Sequence, residues 1–92
     1  MTIVYTDEAV RDLDEILAYI AANFPEAYDG FESRLRAIER RIDQWPRSGR
    51  QVAERPGVRV VSLSRYPYKV FCRVQADVAE ILHIRHSARR ER

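Results

Sequence analysis

Two histidines and three arginines lie close together near the C-terminal end of the sequence. They are His83, Arg85, His86, Arg89 and Arg90. A guanidinium group forms paired hydrogen bonds with phosphate or carboxylate oxygens, and an imidazole group exchanges a proton near neutral pH. This cluster therefore predicts contact with a large polyanionic or acidic partner rather than with a small molecule in a pocket.

General acid–base cleavage of RNA is one reaction that such residues could perform. It needs one group to activate the 2′-hydroxyl, a second to protonate the leaving oxygen, and cations around the phosphate. His83 or His86 could transfer the protons. The cations would be Arg59, Arg65 and Arg85. Alternatively, Arg59 and Arg85 bind carboxylates or loop carbonyls at the end of the sheet, and the residues alone leave both interpretations open.

The sequence does not predict a metal or cofactor site. His83 and His86 are three residues apart, a spacing that sends side chains to opposite faces of a strand. Asp12, Asp14 and Glu15 are expected to solvate an exposed helix face rather than to form an acid–base pair. The sequence contains no glycine-rich phosphate loop and no paired Cys-x-x-Cys motif. We therefore expect no metal and no cofactor.

Charge is divided unevenly between the two halves of the 92 residues. Residues 1–46 contain 5 arginines and 10 acidic residues, whereas residues 47–92 contain 11 basic and 4 acidic residues. This asymmetry predicts an acidic half and a basic, functional half, or simply a solvated helical face beside a basic sheet. With 46% hydrophobic residues the chain can form one modest core, so residues 1–92 are expected to be a single domain.

The sequence predicts a protein of the cytoplasm with no membrane partner. Cys72 is the only cysteine, so no disulfide can form within the chain, and its apolar neighbours predict a core position. No signal peptide follows Met1, and no apolar run is long enough to cross a membrane.

The first half of the sequence predicts a short strand followed by two helices. Residues 2–5 are largely β-branched, and Thr6 can cap a helix of about 16 residues. Pro25 suits the first turn of a second helix, and Pro46 ends it. Apolar residues recur at spacings of three and four in both helices. The first stripe contains Val10, Leu13, Ile16, Leu17, Ile20 and Phe24, and the second contains Tyr28, Phe31, Leu35, Ile38, Ile42 and Trp45.

Residues 57–65, 68–74 and 78–90 predict three strands, which short connections make antiparallel neighbours. Strict alternation places Tyr68, Val70, Cys72 and Val74 on one face, opposite Lys69, Phe71 and Arg73. In the last strand it places Val78, Leu82 and Ile84 opposite Ala79, Ile81, His83 and Arg85. One face should pack on the helices, and the other should carry Lys69, Arg73, His83 and Arg85. The predicted fold is α+β, in the order β-α-α-β-β-β, with a helical hairpin packed on a small, largely antiparallel sheet.

Several segments, taken in order, carry a resemblance to a known family. They are residues 9–20, Trp45-Pro46, Ser48-Gly49-Arg50, Gly57-Val58-Arg59, Tyr68-Lys69-Val70-Phe71 and residues 81–89, which end His86-Ser87-Ala88-Arg89. Together these segments span nearly the whole chain. The pattern strongly resembles the RelE/ParE toxin superfamily, and most closely the ParE branch of type II toxin–antitoxin systems.

The resemblance implies a bacterial, cytoplasmic toxin of the plasmid-stabilisation type. It also implies a cognate antitoxin, either ParD-like or another short DNA-binding protein, that wraps the toxin. ParE-like toxins are associated with poisoning DNA gyrase, whereas RelE-like toxins cleave mRNA in the ribosomal A site. The RelE pattern includes a tyrosine near the C-terminus, but no tyrosine follows Tyr68 here, and Ser64 stands near an expected arginine. These departures favour the ParE branch.

The leading hypothesis is a non-enzymatic inhibitor of DNA gyrase with no assigned catalytic residue. The alternatives are a ribosome-dependent mRNA endonuclease and an inactive antitoxin-binding module. Contacts with the target are expected at Arg59, Arg65, His83, Arg85, His86, Arg89 and Arg90. Contacts with the antitoxin are expected at Leu13, Leu17, Ile20, Arg59, Arg73 and Arg85.

Overall fold

The computed structural model describes residues 1–88 and places two α-helices on a five-stranded sheet. The elements are β1 (Thr2–Tyr5), α1 (Asp7–Asn23), a 3₁₀ helix (Pro25–Ala27), α2 (Tyr28–Gln44), β2 (Arg50–Gln51), β3 (Val58–Ser62), β4 (Tyr68–Gln75) and β5 (Val78–His86). The predicted α+β fold and the order of its main elements are confirmed. The two-residue strand β2 was not predicted, because its segment is polar and reads as a loop.

The order of strands across the sheet is β1-β5-β4-β3-β2. The β1–β5 pair is parallel, and the other three pairs are antiparallel. The first strand therefore pairs with the last of the described strands, and β5 lies inside the sheet between β1 and β4.

Helix α1 begins and ends as the sequence predicts. The Thr6 hydroxyl oxygen accepts a hydrogen bond from the Ala9 N–H at 3.1 Å, which is an N-cap, and the same hydroxyl donates to the Leu82 carbonyl at 2.7 Å. The second bond ties the start of α1 to β5. Pro25 follows one residue after Phe24, the C-cap of α1, and begins the 3₁₀ helix.

The main core lies between the helices and one face of the sheet. Phe31 is fully buried and forms edge-to-face contacts with Tyr66 and Tyr68, with centroid distances of 5.8 and 5.7 Å. Cys72 is buried in the same core, as predicted. Trp45 was wrongly assigned to the apolar stripe of α2. It lies past the last helical turn, as the C-cap, and its side chain is 67% exposed.

An irregularity in β5 corrects the predicted alternation of its side chains. Phe71 pairs with His83 and Cys72 pairs with Ile81, so Leu82 is an extra residue without a partner on β4. Such a β-bulge shifts the following side chains to the other face. Ile81 and Ile84 consequently both enter the main core, whereas Leu82 packs against the opposite face. The prediction that Leu82 and Ile84 share a face was wrong.

The face of the sheet away from the helices is less basic than predicted. A second apolar cluster lies there, formed by Val52, Val58, Val60 and Phe71, with Leu82 packed against it. The segment that contains Val52 folds back over this face, because the Val52 N–H donates to the Val58 carbonyl of β3 and the Val52 carbonyl accepts from the Arg55 N–H. The basic side chains of this face therefore flank an apolar patch.

Residues 1–88 contain neither a membrane-spanning helix nor a candidate metal site. Neither helix there combines the length and the apolar character that crossing a bilayer requires. No three His, Cys, Asp or Glu side chains in that range are grouped closely enough to hold a metal ion together.

Candidate functional site

A groove of about 520 Å³ opens between α1, the β3–β4 turn with the start of β4, and the C-terminal end of β5. Its helical wall contains Ile16, Tyr19 and Ile20, followed by Phe24 and Ala27 of the interhelical connection. Its other wall contains Tyr66, Pro67, Tyr68, Ile84, Arg85 and His86, and Asp12 and Glu15 add carboxylates at the helical side. Most of the lining is apolar or aromatic, with charged groups at the margins. This composition is typical of a site that recognises a partner by apolar anchors.

Two aromatic rings of the groove are unusually exposed. Tyr19 is 54% exposed and Phe24 is 50% exposed, and their ring centroids lie 6.1 Å apart. Exposed aromatic pairs beside a groove are characteristic of interaction surfaces. The sequence pattern assigned Phe24 to the buried stripe and did not single out Tyr19. The sequence signal for both is their position at or just after the C-terminal end of α1, before the chain breaks at Pro25.

The groove exists because β5 continues beyond the end of β1. Strand β1 pairs with β5 only as far as Tyr5 with Ile81, so residues 82–86 have no strand on that side. Asp12 of α1 takes the place of a strand there. Its carboxylate accepts hydrogen bonds from the Ile84 N–H at 3.0 Å and from Arg85 at 2.8 Å. Asp12 is partly buried, and its hydrogen bonds join α1 to β5. This corrects the expectation that it only solvates the helix.

Arg85 is held by two carboxylates of α1. Glu8 accepts a hydrogen bond from one end of its guanidinium, and Asp12 accepts from the other. The hydrogen bond from Arg85 lowers the pKa of Glu8, and the charge of Arg85 lowers it further. Of the two interpretations that the sequence left open for Arg85, the structure shows the carboxylate-binding one. The charge of Arg85 is therefore balanced by two carboxylates of the same chain, Glu8 and Asp12.

The His83 ring is neutral, and both of its nitrogens contact charged side chains. Its Nε2 accepts a hydrogen bond from Arg55 at 2.8 Å, and its Nδ1 lies 3.3 Å from the Glu8 carboxylate. Since Nε2 is the acceptor, the proton is on Nδ1 and points to Glu8. Burial lowers the pKa of His83, and the charges of Arg85 and Arg55 lower it further. The ring also packs on Phe71, with centroids 4.7 Å apart, so its basic nitrogen is already occupied.

Replacing Asp12 should destabilise the fold. In Asp12→Ala the Ile84 N–H loses its acceptor and Arg85 loses one of two carboxylates, so the free energy of unfolding should fall by about 1–3 kcal/mol. Asp14→Ala removes an exposed carboxylate of the same helix and should change it by less than about 0.5 kcal/mol. Urea denaturation of both variants measures the difference, and equal effects would contradict a structural role for Asp12.

The stability of the fold should depend on pH through His83. In the unfolded chain this histidine gains a proton below about pH 6.5, whereas the folded ring resists protonation. The unfolded state then binds more protons, so the contribution to stability is complete above that pH and is lost as the pH falls toward the folded pKa.

We expect the free energy of unfolding to decline as the pH falls below about 6.5, and to decline less in His83→Gln. The decline should remain in His86→Gln, which removes the exposed histidine. Denaturant titrations at several pH values measure these slopes. An unchanged slope in His83→Gln would exclude His83 as the source.

The sequence of residues 3–91 matches the family model described as the ParE toxin of the type II toxin–antitoxin system parDE. The chain belongs to the ParE toxin family. Among solved structures, it is similar to one titled as the chromosomal ParDE TA system from P. aeruginosa, with 27% sequence identity and a TM-score of 0.77. The alignment covers 94% of this chain and 95% of the other. A comparison with curated protein sequences finds no match. The resemblance inferred from the sequence is confirmed.

The predicted target contacts of this ParE-family chain are not brought together at one place. Arg59 lies on the helix-side face of the sheet, next to Cys72, and donates to the Gly49 carbonyl at 2.9 Å. Arg65 is exposed in the β3–β4 turn, where its φ is +75°. His83 lies on the opposite face from Arg59. Arg59 and His83 therefore cannot act on one bound phosphate in this conformation.

The remaining predicted target contacts lie at the C-terminal end. His86 is exposed at the groove, where its ring makes an edge-to-face contact with Tyr68 at 5.6 Å. Its Nδ1 accepts a hydrogen bond from the Ala88 N–H at 3.1 Å. Arg89 and Arg90 lie outside the described residues. Arg89, Arg90 and His86 thus remain predictions as target contacts of this ParE-family chain.

The predicted antitoxin contacts of the ParE-family chain divide between core and groove. Ile20 lines the groove, whereas Leu13 and Leu17 are partly buried against the main core. Arg85 also lines the groove but is paired with α1. Arg73 is partly exposed on the face of β4 away from the helices. Only Ile20 and Arg85 of this set are therefore placed to contact a segment bound in the groove.

Proposed function

We propose that this chain is the toxin of a type II toxin–antitoxin module that inhibits DNA gyrase in the cytoplasm and is neutralised by a cognate antitoxin. The observation that carries the proposal is the match to the ParE toxin model over residues 3–91. The structural similarity to a ParDE system over most of both chains supports it. The partner that the proposal requires is an antitoxin encoded next to the toxin.

The groove is the surface that best suits the antitoxin. Tyr19 and Phe24 offer exposed rings, and Ile20, Tyr66 and Ile84 form an apolar floor and wall. An antitoxin segment with apolar side chains at regular spacing could bury them there while it folds on the toxin. The ends of the groove are charged, so polar groups of the segment would set its direction.

The chemistry of the described residues favours an inhibitor over a nuclease. A nuclease needs a base with a free lone pair beside the cations that hold the phosphate. The Nε2 lone pair of His83 is occupied by Arg55, and the charge of Arg85 is balanced by Glu8 and Asp12. His83 and Arg85 instead join β5 to Glu8 and Asp12 of α1. This arrangement supports a toxin that acts by binding its target.

Two assays on the purified chain test the proposal. Inhibition of supercoiling by purified gyrase is expected, and relief of that inhibition by the antitoxin is expected at equimolar concentration. Cleavage of mRNA on purified ribosomes is the matched second assay and should give no product. Ribosome-dependent cleavage without an effect on gyrase would overturn the proposal and favour the endonuclease. No effect in either assay would favour an inactive antitoxin-binding module.

A further inference from the structure

A second, smaller pocket lies on another side of the molecule from the groove. It has a volume of about 190 Å³ and is lined by Arg47, Gln51, Gly57, Arg59, Cys72 and Val74. None of these residues lines the groove. The pocket brings the segment after α2 and the turn before β3 together over β3 and β4.

The lining of this pocket is positively charged. It contains two guanidinium groups and no carboxylate. Arg47 makes no hydrogen bond or ion pair with any other residue of the described chain, residues 1–88, and Arg59 uses only its Nη1 for the Gly49 carbonyl. The surrounding segment 47–59 contains four arginines and one glutamate. Burial raises the pKa of the Cys72 thiol, so this wall carries no negative charge.

The pocket is built on two glycines with different roles. At Gly49 a Cβ atom would lie 3.0 Å from the Val61 side chain and 3.1 Å from the Val60 carbonyl, so a larger residue would require β3 to shift by a few tenths of an ångström. Because the backbone of Gly49 lies close to β3, its carbonyl is within hydrogen-bonding distance of Arg59. Gly57 has a φ of +80° and open space around it, so glycine is required there by the backbone conformation. Arg59 is therefore held in position before any ligand arrives.

We propose that this pocket binds the carboxylate of an acidic side chain on the antitoxin. The inference rests on the proposed function, since it assigns a chemistry to the partner. The two guanidinium groups supply charged hydrogen bonds, and Val74 and Cys72 supply an apolar wall for the methylene groups of the acidic side chain. The volume is below the roughly 300–1,000 Å³ of sites for larger ligands. A side-chain carboxylate is small enough to enter a pocket of this volume.

A titration of the isolated chain tests the pocket without the antitoxin. The probe is N-acetyl-glutamate methylamide, followed by amide and arginine Nε resonances in ¹H–¹⁵N spectra. Saturable shifts are expected at Gln51 and Gly57 and at the Nε of Arg59, and the isosteric N-acetyl-glutamine methylamide should cause none. Arg47→Gln should abolish saturation. Arg36→Gln removes an exposed arginine of α2 and should behave as the wild type.

The titration can overturn the proposal in three ways. Equal shifts with the glutamate and glutamine probes would exclude charge recognition. Saturation by inorganic phosphate but not by the glutamate probe would make this a phosphate site. An absence of shifts with every probe would exclude an anion site.

A second experiment connects the pocket to the antitoxin. We expect Arg47→Gln to weaken antitoxin binding about tenfold and to reduce its dependence on salt, and Arg36→Gln to leave both unchanged. Tight binding of the antitoxin with no effect of Arg47→Gln would refute the pocket and leave the proposed function intact. If the wild type binds no antitoxin, the proposed function fails, and the titration still decides whether the pocket binds a carboxylate.

Discussion

A chain with Tyr19→Asp and Phe24→Asp should arrest growth as the wild type does, but its antitoxin should no longer relieve the arrest. Both rings are about half exposed in the free chain, so the substitutions should cost little stability. In the complex they would place two carboxylates against an apolar partner. Aromatic anchors at the centre of an interface contribute at least about 2 kcal/mol each. The double variant should therefore bind the antitoxin about 10³-fold more weakly.

Val10→Asp provides a matched control for this variant. Val10 lies on the same helix and is 45% exposed, but it does not line the groove. The variant should remain toxic and be neutralised normally. Growth on solid medium with and without antitoxin expression, together with a direct binding measurement, separates the cases. Normal neutralisation of the double variant would place the antitoxin elsewhere.

Removal of Ala88–Arg92 should abolish gyrase inhibition and leave antitoxin binding largely intact. The deleted segment follows β5 and contains Arg89 and Arg90, which the sequence marks as target contacts. Arg89→Ala with Arg90→Ala should have the same effect as the deletion. Arg36→Ala with Arg40→Ala removes the same charge from exposed positions of α2 and should retain inhibition.

Substitution of His86 distinguishes binding from catalysis at this end of the chain. In an inhibitor that acts by binding, His86→Ala should weaken inhibition only modestly, by about 1–3 kcal/mol at most. A general base would instead lose about 10²–10⁴ in rate. Supercoiling and ribosomal cleavage assays on the same preparations compare the two. Cleavage that disappears in His86→Ala, with gyrase unaffected, would contradict the inhibitor.

The elements of this fold were predictable because their signals are local. Thr6 as a cap, Pro25 as a break, and the spacing of Phe31, Leu35, Ile38 and Ile42 each depend on a few neighbouring residues. These signals fixed the fold class and the order of the main elements. The resemblance to the ParE family predicts the same order of strands and helices.

The site was less predictable because it depends on long-range pairing. The bulge at Leu82 moves Ile84 into the core, and no local pattern marks it. The two carboxylates that bind Arg85 lie more than 70 residues away on α1, so the sequence could only offer carboxylate binding as one possibility. The exposed ring of Phe24 falls in the predicted apolar stripe of the first helix, because a helical period does not reveal where the sheet ends.

The parallel pairing of β1 with β5 also determines when the sheet can form during translation. The ribosome releases β1 and both helices first, but their sheet partner β5 emerges last and must enter between β1 and β4. Until then β1 has no strand to pair with, and Asp12 and Glu8 have no Arg85. A nascent chain therefore cannot complete the groove until β5 has been translated. Under the proposed function, an antitoxin that binds in the groove can do so only after that point.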